Sequence, residues 1–291
     1  MRIADKWNDY KILDTKSGEK LERWGNVTLV RPDPQIIWNT EPVSPFWNKN
    51  DGHYKRSSSG GGKWNSDSVT EREWTISYDD LKFYIRPTGF KHTGLFPEQA
   101  VNWDLMRSII RNSKKDPSQI KVLNLFAYTG GATLACAAEG VNVCHVDASK
   151  GMVAWARDNA RLSGLEDKPI RWIVDDCKKF VEREIRRGNK YDGIIMDPPS
   201  YGRGPSGETW KLEENIYDFV ELCANVLSDD PLFFVLNSYT TGLSPSVMAY
   251  LLGTTVGKGR NAKISADEIG LPVESTSLVL PCGSTAIAEF I

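Results

Sequence analysis

The sequence predicts an α/β protein: a doubly wound, mainly parallel sheet of seven strands with an antiparallel C-terminal strand, preceded by a small β-rich N-terminal region. Three observations carry that expectation. From residue 121 onward, short apolar runs alternate with helical stretches, as strands do when helices cover both faces of a sheet. The first run opens onto a small-residue turn, AYTGG at 127–131. Acids then close three successive runs, at Asp147, Asp175-Asp176 and Asp197. In such sheets ligands gather beyond the carboxyl ends of the strands.

Residues 1–90 differ from the rest and are taken as a separate N-terminal domain, with 91–291 as the second. They hold Trp7, Trp24, Trp38, Trp47, Trp64 and Trp74, six of the ten tryptophans, and show no long helical periodicity. Residues 10–14 and 27–31 have the pattern of short strands around a turn at Lys16-Ser-Gly-Glu. Residues 74–78 and 81–86 predict a β-hairpin across Asp79-Asp80. Between them, residues 48–65 are expected to be a flexible basic loop. Its cations Lys49, Lys55, Arg56 and Lys63 face one acid, Asp51. It is either a solvated surface loop or a phosphate-gripping one, with Trp47, His53, Tyr54 and Trp64 as stacking groups.

Pro97 begins a helix through residue 112, with proline in its first turn and an acid early. Strands follow at 122–126, 141–147, 170–174, 191–197 and 232–238. Helices are expected at 132–140, 150–163, 176–187, 212–228 and 244–256. Stretches 262–268, 276–280 and 284–291 lack a convincing helix between them and fit antiparallel strands closing the sheet.

Composition narrows the function. Hydrophobic residues make up 40% and charged residues 25%, with a net charge of −2, so nothing global favours nucleic acid. The N-terminus lacks the apolar core of a signal peptide, and no apolar run approaches the roughly 18 residues that span a bilayer. Five cysteines without C-x-x-C spacing suggest packing thiols in a reduced, cytoplasmic protein. Three dispersed histidines give no support for a metal site.

The chemistry concentrates at the strand ends. A strand, a glycine turn and a helix in that order set bare backbone and helix N–H groups against a ligand. Asp147, seventeen positions after Gly130, suits ribose hydroxyls, the alternative being a helix cap. Asp175 and Asp176 can accept from an exocyclic amine or cap the following helix. In Asp197-Pro-Pro-Ser-Tyr201 two prolines fix φ and remove two N–H donors, so the chain leaves the sheet rigidly and its acceptors point into the crevice. GRGPSG at 202–207 is then expected to be a mobile loop over the pocket.

These segments together resemble the class I S-adenosylmethionine-dependent methyltransferases, most closely the bacterial large-subunit ribosomal RNA methyltransferase-like family. The resemblance covers roughly residues 70–291. It rests on TGLFPEQ at 93–99, LNLFAYTGG at 123–131, VDASK at 146–150, DCKKF at 176–180 and DPPSY at 197–201. It implies a Rossmann-like fold and S-adenosylmethionine as cofactor. The methionine part would pass Phe126, Ala127, Tyr128, Thr129 and Gly130, with Asn124 standing where many such enzymes place an acid. Asp147 would hold the ribose, with Ala148 and Ser149 in the same cofactor-binding stretch. Asp175, Asp176 and the Cys177 backbone would hold the adenine. Phe96 and Gln99 would border the methionine end. Asp197 and Pro198 would flank the transferring methyl, and Tyr201 would shape the acceptor pocket. Two departures stand out. Ala100 and Trp103 occupy positions where relatives carry basic residues, and no PUA-like RNA-binding domain is recognisable in residues 1–90.

The expected acceptor is a nitrogen or oxygen atom, most naturally on RNA. Carbon-5 methylation of cytosine needs a cysteine nucleophile, and the loops after the fourth and fifth strands (Ser200-Tyr201 and 237–242) contain none. Arg107, Arg111, Lys114, Lys115, Arg203 and Lys211 are basic groups near the expected site. A protein or small-molecule acceptor, a nicotinamide-dependent oxidoreductase and a silent RNA-binding module are the alternatives.

Overall fold

The computed structural model describes residues 1–57, 61–89, 91–203, 209–240 and 242–291. The chain forms two compact units, Met1–Val101 with Ile269–Cys282, and Asn102–Glu268 with Gly283–Ile291.

The first unit is β-rich. Its elements are β1 (Arg2–Ile3), β2 (Tyr10–Lys16), β3 (Glu19–Trp24), β4 (Val27–Pro32), β5 (Gly52–Arg56), β6 (Gly62–Trp64), α1 (Asp67–Thr70), β7 (Trp74–Tyr78) and β8 (Leu81–Ile85). Strands β2 to β6 form one sheet in chain order, and β7–β8 is the expected separate hairpin. The sequence pattern overlooks β3, whose charged run EKLERW conceals a fully buried acid. Glu22 accepts from the Arg31 Nε–H at 2.6 Å and from the Tyr10 hydroxyl at 2.7 Å. Burial alone would raise its carboxyl, but the charges of Arg31 and Lys20 overcome that and hold it down to about 2.

The expected flexible loop at 48–65 is instead largely structured. β5 and β6 pair antiparallel, Tyr54 against Trp64, and both rings are buried. These aromatics are core groups and not free stacking platforms; residues 58–60 lie outside the described chain.

The second unit carries the predicted sheet. After α2 (Ala100–Asn112) come β9 (Lys121–Leu125), α3 (Gly131–Ala138), β10 (Asn142–Asp147), α4 (Lys150–Leu162), β11 (Ile170–Val174), α5 (Cys177–Arg187) and β12 (Gly193–Met196). A short hairpin, β13 (Tyr201–Arg203) and β14 (Thr209–Lys211), precedes α6 (Leu212–Ala224). Then follow β15 (Phe233–Ser238), α7 (Pro245–Thr254), β16 (Ala262–Pro272) and β17 (Val279–Phe290). The strand order is β16-β17-β15-β12-β9-β10-β11, with two-residue β1 as an eighth strand beside β16. Strands β9, β10, β11, β12 and β15 are mutually parallel, and β17 runs antiparallel to β15. The stretches expected at 276–280 and 284–291 form one continuous strand. The turn falls earlier, where the Ser277 N–H donates to the Val273 carbonyl at 2.9 Å.

Strands β12 and β15 are buried at every position, as strands covered on both faces must be. The sheet's order reverses between β9 and β12: the chain steps outward through β10 and β11, then returns to the other side of β9. Register aligns the strand ends there. Leu125 lies beside both Val146 and Met196, Asp147 beside Val174, and Met196 beside Leu236. Phe126, Asp147, Asp175 and Asp197 therefore follow one another along a single edge, at the topological switch point.

Candidate active site at the carboxyl edge of the sheet

The turn after β9 is unusual backbone. Phe126 and Tyr128 both adopt positive φ, at 55° and 51°, and Gly130 reaches 88°. For residues with a Cβ this costs on the order of 1 kcal/mol each. The turn persists because its amides are held. The Phe126 N–H points to the Cys177 sulfur at 3.3 Å, the Ala127 N–H donates to the Val146 carbonyl at 3.1 Å, and the Tyr128 N–H donates to Asp147 Oδ2 at 2.9 Å. The sequence suggests bare turn backbone for a ligand, whereas these three donors are spent inside the protein. What stays open is the start of α3, whose N-cap, Gly130, has no side chain with which to cap it. Gly131 answers to packing: a Cβ there would lie 2.6 Å from the ring of buried Trp103.

Asp147 does not cap α4; Ser149 does, accepting from the Met152 N–H. Asp147 accepts instead from the N–H groups of Tyr128 and Ser149, at 2.9 and 2.8 Å. Burial pushes its carboxyl above the ordinary value despite those two bonds. Asp176 is the N-cap of α5, through Oδ1 and the Lys179 N–H at 2.9 Å. Asp175 pairs with Arg183. The Cys177 thiol is buried and pushed up by that burial.

Several predicted residues lie inside the protein. Asn124, 3% exposed, donates from Nδ2 to Thr133 Oγ1 at 2.9 Å, and the same hydroxyl meets His145 Nδ1 at 2.9 Å. Thr129 is buried, and its carbonyl accepts from Asn159. Ala127 and Gly130 are buried as well, while Phe126, Tyr128 and Asp147 are partly exposed. Phe96 and Gln99 belong to the first unit.

At the end of β12, Asp197 is partly exposed, Pro198 is buried and Tyr201 is 54% exposed. Sequence reasoning missed Trp210, on β14. Its indole N–H donates to the Pro199 carbonyl at 2.6 Å, and its ring lies 5.7 Å from that of Phe126. The only sequence signal was a tryptophan shortly after the two prolines. Residues 204–207 of the expected loop, and Thr241 of the loop after β15, fall outside the described residues.

Four of the six basic groups expected here are otherwise engaged. Arg107 and Arg111 pair with Glu139, Lys211 with Glu214, and Lys115 with Asp192 at the opposite end of β12. Burial raises all five cysteine thiols, those of Cys136 and Cys144 to about 12 and 11. Among the described residues no helix is long and apolar enough to cross a membrane, and no cluster of metal-ligating side chains occurs.

Comparison with known proteins agrees with this geometry. The profile of the S-adenosylmethionine-dependent methyltransferase family matches residues 47–223. The SAM-dependent methyltransferase of Agrobacterium tumefaciens is 34% identical, with a TM-score of 0.91 over 99% of this chain and 92% of its own. SMU.776, solved in complex with SAH, shares the fold at 18% identity, with a TM-score of 0.73 over 97% of this chain and 76% of its own. Among curated proteins, the ribosomal RNA large subunit methyltransferase K/L of Shewanella baltica is 34% identical over 148 residues. That match covers 50% of this chain and 19% of the relative, so the chain spans about a fifth of the length of such relatives. Profile, structural likeness and the switch-point edge coincide: the chain belongs to the S-adenosylmethionine-dependent methyltransferases.

Proposed function

We propose that this methyltransferase acts on RNA, with large-subunit ribosomal RNA as the first candidate, and that it methylates a nitrogen or oxygen atom. The observation that carries the site is the row of acceptors along the switch-point edge. Asp147, Asp176 and Asp197 stand at the ends of three strands, beside the uncapped start of α3. This set suits S-adenosylmethionine, whose ribose hydroxyls, adenine amine and ammonium are donors and whose carboxylate suits a helix N-terminus. Asp147, next to Ala148 and Ser149, takes the ribose. Asp176 and the Cys177 backbone, with Asp175 beside them, take the adenine. The turn from Phe126 to Gly130, backed by Asn124, takes the methionine part.

Bound there, the cofactor supplies an electrophilic methyl on a sulfonium. The chain's own task is alignment and exclusion of water. The Asp197 carboxylate accepts from an N–H or O–H of the acceptor, which turns that atom's lone pair toward the methyl. Buried Pro198 fixes the direction in which the chain leaves the sheet, and Tyr201 offers an exposed ring to a planar acceptor. Five cysteine thiols raised by burial support nitrogen or oxygen over carbon-5 chemistry. RNA is favoured by the curated relatives, which are named as ribosomal RNA large subunit methyltransferases.

The dispersal of the basic groups favours a second reading, a protein or small-molecule acceptor. Tritium transfer from labelled S-adenosylmethionine into total RNA and total protein of a deletion strain separates the two. Label in protein alone overturns the RNA reading. Asp197→Ala is expected to lower transfer at least a hundredfold while calorimetry shows S-adenosylhomocysteine binding within about threefold of wild type. Unchanged turnover would remove Asp197 from the site.

A further inference from the structure

Two prolines deprive the turn after β12 of its backbone donors, so its position has to be set from outside. Pro198 and Pro199 have no N–H, and Ser200 is held through its carbonyl, which accepts from the Leu212 N–H at 3.0 Å. The Pro199 carbonyl accepts from the Trp210 indole at 2.6 Å. The same indole ring is one corner of an aromatic triangle. Its centroid lies 5.7 Å from Phe126 and 5.7 Å from Phe219, and Phe126 lies 5.7 Å from Phe219. Phe219 is buried on α6, which makes it a fixed wall. Phe126 is the first residue of the turn after β9, held at positive φ with its amide on Cys177. One side chain therefore touches both turns that flank the switch point, by a hydrogen bond on one side and by ring packing on the other.

The geometry points to Trp210 as a positioning residue that couples the cofactor-binding turn to the Asp197-Pro-Pro turn. The coupling needs both halves of the indole. The ring follows Phe126, and the N–H carries that position to the Pro199 carbonyl, two residues from Asp197. Ordering Phe126 against a bound cofactor therefore also orders the turn that receives the acceptor. Trp210 itself touches neither reactant. Plain packing would give a different result: loss of the ring would lower stability without changing what the cofactor does at a distance.

This inference rests on the proposed placement of the cofactor at residues 126–130. Amide hydrogen exchange on the full chain, with and without S-adenosylhomocysteine, tests it independently of the acceptor. In wild type the ligand is expected to slow exchange at 126–130 and also at Ser200 and Tyr201, each by about fivefold or more. In Trp210→Ala, protection at 126–130 should remain and that at Ser200 and Tyr201 should vanish. Trp210→Phe keeps the ring packing and the fold but removes the donor, and it should lose most of the distant protection while binding the ligand within about twofold of wild type. Ligand protection at Ser200 and Tyr201 that persists in both variants overturns the coupling alone. Absence of ligand protection at 126–130 in wild type overturns the cofactor placement, and the coupling with it.

Discussion

A methyl group added at Gly131 would meet the Trp103 ring at 2.6 Å, well inside carbon–carbon contact. Gly131→Ala should therefore cost about 1–3 kcal/mol in urea denaturation, and a smaller residue at position 103 should recover part of that loss. His145 shows another constraint set by one residue. It is fully buried, its Nδ1 meets Thr133, and its Nε2 has no partner among the described residues. Burial, helped by the charge of Arg157, holds the imidazole down to about 3. The folded state thus binds fewer protons than the unfolded one below the ordinary histidine pKa. The stability that depends on a neutral His145 is complete above about pH 6.5 and is lost progressively as pH falls toward 3. At pH 5 the loss from this group should be about 2 kcal/mol relative to neutral pH. His145→Asn should show a correspondingly flatter pH dependence between pH 7 and 5 in denaturant titrations. The sequence places His145 near the end of a strand, but nothing local shows that its ring faces the protein interior.

At the scale of elements, what was legible depended on how local the cause is. Helices α3, α4, α5 and α7 begin within a residue of expectation, and for α4, α5 and α7 the reason is a cap within the same short stretch: Ser149, Asp176 and Ser244 accept from N–H groups three residues on. Strand β3 was invisible because Glu22 becomes a core residue only when Arg31 arrives from β4. The same holds for β5 and β6, whose basic surface hides Tyr54 and Trp64 turned inward. Asp176 combines a local role with a proposed ligand role, and substitutions can separate them. Asp176→Asn keeps the acceptor that caps α5 and should leave stability within about 0.5 kcal/mol, whereas Asp176→Ala should lose about 1 kcal/mol. If Asp176 also accepts from the adenine amine, both variants keep the S-adenosylhomocysteine site but weaken it, Ala more than Asn, in calorimetric titration.

At the scale of the whole molecule, the first unit is discontinuous. Residues 269–282 complete it from near the C-terminus: Ile269 and Gly270 pair with β1, the Ser275 hydroxyl donates to Asp14 at 2.7 Å, and the Glu274 N–H donates to the Ile12 carbonyl at 2.9 Å. A fragment of residues 1–101 should therefore lack a cooperative unfolding transition by circular dichroism, despite containing most of the unit's strands. A cooperative transition in that fragment would show the C-terminal segment to be dispensable. The sequence by itself determined the alternation of strands and helices, the glycine turn and the acids at successive strand ends, because periodicity, caps and prolines act over a few residues. The fold class followed from that order, and the cofactor class from the family that these segments resemble. Only the tertiary structure decided which of these groups share an edge and which are spent inside. It moved Asn124 and Thr129 into the interior, turned Asp147 onto the Tyr128 amide, paired Arg107, Arg111, Lys115 and Lys211 with acids of their own, and set Trp210 between two turns far apart in sequence. Those outcomes depend on strand register and on burial across the sheet, which no short stretch of chain contains.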